Sequence, residues 1–435
     1  MLGFGASART ADELTNSYRD ANPRSAAIYA RLRRVLPGGE TRAVTYFGPF
    51  PLAIVSGRGA RVTDADGHVY LDVLNNYTSL VHGHAFAPIS DAIASAMSGG
   101  TAHAAPSERQ YELAELLCDR YPAVESLRFA NSGSEAAMLA QRIARRATGR
   151  RRILLFTGAY HGTAPDFADD GPDTIRVPYN DSAAVASALD SSVAAVFAEP
   201  FLGSGGVILG EPSFLANVQA LAQRNGALFA LDEVQALRNA FHGMHHALDL
   251  DPDLVLMGKI IGGGLPVGAV GGREALLILT AADRPTSLQH SGTFNGNPLT
   301  MAAGLASMRG LTEGAIELLN LRAEQLREAI QAAADSAGVA IRVNRAGSIL
   351  HVHIRSSEGE ASADDGSQPE RSALLHLALL SEGVYAAPRG MLNLSTVMSD
   401  ADLELIPDAY QRAFAQVARL AANAPAADAA RSLPA

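Results

Sequence analysis

Five short apolar runs recur through the middle of the chain: Leu127–Ala130, Arg152–Phe156, Val193–Ala198, Ala227–Leu231 and Leu254–Met257. Stretches between them, such as Glu135–Ala147 and Ser213–Asn225, carry apolar residues at helical spacing. Strands that alternate with helices need crossover connections, and a crossover joins parallel neighbours. A parallel sheet is covered on both faces, which suits runs that show no alternation of polar and apolar residues. The pattern therefore predicts an α/β fold around a mostly parallel sheet.

With 435 residues the chain exceeds one ordinary domain. Its character changes at both ends. Ala21–Leu36 reads as a helix that Pro37-Gly38-Gly39 stops. A long helical pattern covers Gly314–Ala337, and Ser348–Ile354 reads as a strand. Ser356–Arg371 is polar without period and reads as a mobile loop; Ala401–Ala421 reads as a helix, and Ala422–Ala435 as a fraying tail. The division expected is a large α/β domain over 63–305 and a smaller α+β domain built from 1–62 and 306–435. A net charge of −10 disfavours nucleic acid or an anionic membrane as a partner. No apolar stretch is long enough for a bilayer span, and Met1–Arg9 lacks a signal-peptide pattern, so a soluble cytoplasmic protein is expected. A single cysteine excludes an internal disulfide.

Chemistry-bearing residues gather just after the predicted strands, where open α/β sheets bind ligands. Ala130-Asn-Ser132-Gly133-Ser134-Glu135 leads from a strand into a helix. It reads either as a phosphate cradle, with free N–H groups and hydroxyls, or as a plain helix cap. Gly158-Ala-Tyr160-His161-Gly162 offers an aromatic ring that could stack on a planar ligand, or a turn. Glu199-Pro200 and Asp232-Glu233 end two further strands, and Lys259 follows the last. A lysine in that position can form a Schiff base with an aldehyde, and an aspartate on a neighbouring strand can hold a pyridine nitrogen protonated. Those are the two requirements of a pyridoxal phosphate site. Other phosphate motifs do not fit: Asp253 and Ile260 break a P-loop around Gly258-Lys259, and Val267 breaks a dinucleotide fingerprint. His242, His245, His246, His82 and His84 lack completing ligands for a metal, so none is expected.

As an ordered set, Asn131-Ser-Gly-Ser-Glu-Ala, Gly158-Ala-Tyr-His-Gly, Glu199-Pro, Asp232-Glu-Val, Gly258-Lys-Ile-Ile-Gly-Gly-Gly and Ser291-Gly-Thr-Phe-Asn-Gly-Asn-Pro resembles the class III, fold-type I pyridoxal phosphate aminotransferases. The resemblance runs from about residue 35 to 420. Within the class it is similar to the glutamate-1-semialdehyde aminomutase branch. It is also similar to bacterial β-phenylalanine (β-amino acid) aminotransferases, through Arg42-Ala-Val-Thr-Tyr-Phe-Gly-Pro-Phe-Pro, Asn76-Tyr77-Thr78 and Tyr385-Ala-Ala-Pro-Arg389-Gly.

The resemblance implies Lys259 as the Schiff-base lysine, Asp232 on the pyridinium nitrogen, Val234 beneath the ring and Tyr160 above it. It places Ser132, Gly133 and Ser134 at the phosphate, with His161 and Glu199 in the same cofactor site. Thr293 would reach the phosphate of a neighbouring subunit, which implies a homodimer with shared active sites. Arg42 and Arg389 would receive carboxylate, with Tyr77 lining the substrate side. Tyr46, Phe47 and Tyr77 could form an apolar wall for a donor side chain, or ordinary packing. The sequence departs from the family at Ser134, where many relatives have Thr, and at Gln235-Ala236, where Met-Thr is frequent. Phe294-Asn-Gly-Asn-Pro298 looks more like the aminomutase form. The implied activity is ping-pong transfer from a β-amino acid to a keto acid such as 2-oxoglutarate or pyruvate. The alternatives are a 2,1-aminomutase or racemase, an ω-amine transaminase, and a cofactor-binding protein without catalysis.

Overall fold

A computed structural model describes residues 11–169, 171–355 and 368–422. Its centre is a sheet of seven strands. In chain order these are β1 (Ser126–Ala130), β2 (Arg152–Phe156), β3 (Thr174–Val177), β4 (Val193–Ala198), β5 (Leu228–Asp232), β6 (Leu254–Gly258) and β7 (Gly268–Gly272). Their order across the sheet is β1-β7-β6-β5-β4-β2-β3. All neighbours are parallel except that β7 runs antiparallel to both β6 and β1. Every residue of β4 and of β6 is buried, as a strand covered on both faces requires.

The period of two divides each strand between two apolar layers. Ile153, Leu155 and Phe197 pack against helix Gly133–Thr148 through Ala136, Leu139, Ala140 and Ile143. On the other face Leu154, Phe156 and Val196 meet Phe214, Leu215 and Val218 of helix Pro212–Arg224. Helix Gly133–Thr148 begins at Ser132, whose Oγ accepts the Glu135 N–H at 3.2 Å, and stops at Gly149 with φ +69°.

The topology brings the ligand-bearing strand ends together. In register, Ala130 pairs with Gly268 and Gly268 with Gly258. The start of β7 is therefore wedged between the ends of β1 and β6. A Cβ at Gly268 would stand 2.0 Å from the Ser132 carbonyl oxygen, so only glycine admits this approach.

Both ends of the chain contribute smaller sheets. Strands Ile54–Arg58, Arg61–Asp64 and Val69–Asp72 are joined by Val384–Tyr385 from far along the sequence. Ile341–Ala346, Ile349–Ile354 and Met391–Asn393 form another sheet, beside helix Glu313–Ala337, which in turn packs on helix Asp400–Ala422.

Two local expectations are corrected. The N-terminal helix expected over 21–36 spans Pro23–Leu32, because Pro23 suits a first helical turn better than an interior, and a separate helix, Ala11–Ala21, precedes it. The loop expected through Arg371 ends earlier, since a helix starts at Pro369; positions 356–367 of that segment lie outside the described residues, as does the tail after 422. Among the described residues no helix is long and apolar enough to cross a membrane.

Candidate active site

The acid and the lysine end adjacent strands. Asp232 closes β5, and Lys259 follows β6 at the first position of a 3-10 turn, Lys259–Gly262. Lys259 adopts φ +50°, a conformation that costs a non-glycine residue about 1–2 kcal/mol and marks a site held by its surroundings. Burial pushes the Lys259 ammonium below its ordinary range; Asp232 and Glu199 oppose this, and Arg42 adds to it. The net lowering raises the share of neutral amine, the form that can act as a nucleophile or a base.

Asp232 is buried and twice hydrogen-bonded. Its Oδ2 lies 2.8 Å from His161 Nδ1, and its Oδ1 accepts the Val234 N–H at 3.0 Å. Burial disfavours the charged His161 ring, yet the hydrogen bond and charge of Asp232, with Glu199 behind it, outweigh burial and raise its pKa. Glu199 accepts N–H bonds from Tyr160 at 3.0 Å and Gly203 at 3.2 Å. Burial drives its carboxyl up to about 7; His161 and these two bonds oppose the rise, and Asp232 adds to it. Glu199 also fixes the backbone of Tyr160, whose ring is half exposed above the strand ends.

A second group surrounds the start of helix Gly133–Thr148. Among the described residues, the N–H groups of Gly133 and Ser134 meet no acceptor within the chain. Such orphan donors at a helix N-terminus attract a phosphate. Ser134 Oγ accepts the Thr163 N–H at 3.3 Å, which ties the 158–163 loop to this helix. A Cβ at Gly162 (φ +99°) would come within 2.6 Å of Ser134 Cα. The Val234 side chain lies between Gly133 and Gly258, since a Cβ at either would meet its methyl groups at 3.3 and 3.1 Å. The orphan donors, the glycine-lined floor and the buried acid fit a phosphorylated pyridine with an aldehyde facing Lys259.

The third group comes from the N-terminal region. Asn75, Asn76, Tyr77 and Thr78 adopt φ of +47°, +48°, +54° and +75°, a left-handed turn without glycine. Asn tolerates this region, but Tyr and Thr do not, at roughly 1–2 kcal/mol each. Arg42 Nη1 donates to Asn76 Oδ1 at 2.7 Å, and the guanidinium lies 5.2 Å from the Tyr77 ring centre. Burial raises the Tyr77 phenol pKa, while Arg42 and Arg389 both pull it down. Arg389 stands exposed on the turn between Val384–Tyr385 and Met391–Asn393.

Three residues named from the sequence lie apart from this cluster, among them Thr293, which is expected to serve a neighbouring subunit. Thr293 is on an exposed segment held against Asn131 by the Asn131 Nδ2 to Asn295 Oδ1 bond of 2.6 Å, and among the described residues no hydrogen bond joins it to the cluster. Phe47 does not line the site: its ring is buried against Tyr18 and His376, so it belongs to the core. Tyr46 is half exposed beside Tyr29. The sequence reading missed Arg238, a fully buried cation on the 3-10 turn Ala236–Asn239. Its only sequence signal is its place shortly after Asp232-Glu233.

Known proteins are similar to this chain in sequence and fold. The family model for class III aminotransferases matches residues 45–409. β-Phenylalanine transaminase of Variovorax paradoxus is 40% identical over 409 residues, covering 90% of this chain and 93% of that protein. A glutamate-1-semialdehyde 2,1-aminomutase of Chloroflexus aurantiacus is 37% identical over 429 residues, covering 90% and 96%. The crystal structure of an omega-transaminase from Sphaerobacter thermophilus superposes with a TM-score of 0.87 at 36% identity, covering 93% of this chain and 100% of that one. The chain belongs to the class III aminotransferases, enzymes of the fold-type I architecture that use pyridoxal phosphate.

Proposed function

We propose that the protein transfers an amino group from a β-amino acid of the β-phenylalanine kind to a keto acid such as 2-oxoglutarate or pyruvate, by a ping-pong cycle. One observation carries the choice of donor. Arg42 is anchored by Asn76 and Tyr77, and its charge is felt at Lys259. A guanidinium held near the amine can receive a donor carboxylate, which its planar fork binds in two places, and we take that carboxylate to sit one carbon beyond its position in an α-amino acid. The relationship to a β-phenylalanine transaminase supports the same choice.

Bound pyridoxal phosphate supplies an aldehyde that takes up the amino group and an electron-withdrawing ring beside the reacting carbon. This chain's residues do the rest. The amine of Lys259, biased toward neutrality by burial, holds the cofactor and then takes and returns the proton at the donor carbon. Asp232 keeps a proton at the ring nitrogen, and His161, bonded to its second oxygen, holds the carboxylate in place. Val234 and Tyr160 confine the ring between them, and Glu199 keeps the Tyr160 backbone in position. Ser132, Gly133 and Ser134 anchor the phosphate. Arg42, Arg389 and Tyr77 orient the donor. In a homodimer Thr293 of each subunit would complete the phosphate site of the other. We assign residues 63–305 to the cofactor domain, and 1–62 with 306–435 to the smaller one.

A 2,1-aminomutase is the second reading. It is favoured by the Phe294-Asn-Gly-Asn-Pro298 segment and by the 37% identity to such an enzyme. A panel of β-aryl, β-alkyl and α-amino acids and simple amines, each with and without 2-oxoglutarate or pyruvate, separates the two. The transaminase reading expects consumption of a β-aryl donor only when a keto acid is added. Turnover that needs no acceptor would establish the mutase instead.

A further inference from the structure

We propose that Arg238 is a positioning residue for donor recognition: through the left-handed turn at 75–78 it fixes the direction in which the Arg42 guanidinium meets a carboxylate. The proposal rests on the reading of Arg42 as the carboxylate-binding arginine.

Arg238 is 1% exposed, and among the described residues every partner is neutral. Nε donates to Ser348 Oγ at 3.0 Å, and Nη1 to Asn393 Oδ1 at 2.9 Å and to the Thr78 carbonyl at 3.3 Å. Nη2 donates to the Leu394 carbonyl. A buried cation without a counter-ion pays desolvation that a hydrocarbon side chain of similar volume would avoid. Burial accordingly lowers the guanidinium pKa to about 9. What a hydrocarbon lacks is the fork: a set of donors in fixed directions that can hold several acceptors at once.

Those acceptors bracket the turn. Thr78 is its last residue. Asn393, held by the same Nη1, donates its Nδ2 to the Leu74 carbonyl at 2.8 Å, just before the turn. The Asn393 carbonyl in return accepts Asn75 Nδ2 at 2.8 Å. Both ends of a strained segment are thus tied to one guanidinium. Between those ties the turn presents Asn76 and Tyr77 to Arg42, and the Tyr77 hydroxyl donates to the Val44 carbonyl on the Arg42 segment.

The other side of the link is equally fixed. Arg238 lies on the segment that leaves β5 through Asp232 and Glu233. Glu233 is fully buried and accepts N–H bonds from Met244 at 2.7 Å and His245 at 2.8 Å. Arg238 has no hydrogen bond to Lys259 or Asp232 among the described residues. Its influence is geometric: it sets the offset between Asp232 and Arg42, and so the donor length the site accepts.

The test compares β-phenylalanine with the carboxyl-free 1-phenylethylamine on the full-length holoenzyme of Arg238→Lys, Arg42→Ala and the double variant. A lysine keeps the charge and loses the fork. The expected result for Arg238→Lys is a KM for β-phenylalanine raised about tenfold more than that for the amine. In the double variant, Arg238→Lys adds no further separation to that of Arg42→Ala. Equal effects on both donors, or additive effects in the double variant, would overturn the proposal. If Arg42→Ala itself fails to separate the donors, the Arg42 reading falls. If Arg42→Ala separates them and Arg238→Lys does not, only the positioning role falls. Should Arg238→Lys not fold, Ser348→Ala decides: it removes one acceptor from Nε and should give the same split at a few-fold. An unchanged KM ratio there refutes the role.

Discussion

Gly268→Ala tests the wedge of β7 against the phosphate end of the site. The added Cβ would stand 2.0 Å from the Ser132 carbonyl oxygen, 2.5 Å from its carbon and 3.2 Å from the Gly133 nitrogen. All three are backbone atoms, so no side chain can swing away. Ordinary contact begins near 3.4 Å, and the deficit of more than an ångström must be met by moving β7 or the start of helix Gly133–Thr148. Neither yields easily, because Gly268 is paired on both sides with Gly258 and Ala130. Overpacking of this kind costs about 1–3 kcal/mol. If the strain is expressed at the Gly133 and Ser134 N–H groups, cofactor affinity falls between about fivefold and a hundredfold. The assay is titration of the cofactor-free protein with pyridoxal phosphate, followed by absorbance, with the thermal midpoint measured with and without cofactor. The control is Gly314→Ala, where the new Cβ meets nothing within 4 Å in a helix and should be neutral or slightly stabilising. An affinity in Gly268→Ala equal to that of the control would refute the argument.

Three further outcomes are expected. Lys259→Ala should lose transfer activity and the visible band of the lysine-bound cofactor while remaining folded; retained transamination would remove Lys259 from its role. Glu199→Gln should change the dependence of stability on pH. The folded chain holds the Glu199 proton up to about 7, whereas a free glutamate releases it near its ordinary value of 4.5, so this group's stabilising contribution is lost as pH rises across that window. Urea midpoints at pH 5 and pH 8 should therefore differ less in Glu199→Gln than in the parent, and an unchanged difference would contradict the assignment. Thr293→Ala should weaken cofactor binding across a dimer without altering the fold of one chain. Sedimentation should show the dimer intact while the cofactor dissociates several-fold more readily; unchanged retention would count against a shared phosphate site.

The sheet and the heart of the site were legible because they follow from simple patterns. Short apolar runs marked β1, β2, β4, β5 and β6, continuous in the last three, and polar residues after such runs fall where the strands end. β7 escaped notice because Gly-Ala-Val-Gly-Gly has poor strand propensity; its glycines serve close backbone approach rather than strand formation. The left-handed turn was equally hidden. Asn75 and Asn76 hint at such a conformation, but Tyr77 and Thr78 argue against it, and besides the local Asp72 it is held by the distant partners Asn393 and Arg238. Phe47 could not be assigned from sequence, since a ring beside a binding arginine and a ring in the core look alike in one dimension. Arg238 went unseen because arginine is rarely buried, and nothing nearby in the chain advertises its acceptors.

The antiparallel insertion of β7 between β1 and β6 has a consequence for biosynthesis. The floor beneath Ser132 is closed by residues 268–272, made long after β1 has left the ribosome. A nascent chain that stops short of Gly272 has an unpaired edge along Ser126–Ala130 and no finished floor beneath Ser132. If Ser132–Ser134 hold the phosphate as proposed, loading of the coenzyme would wait until the last strand of the sheet has been synthesised and threaded home, a long-range pairing that belongs to the slow steps of folding.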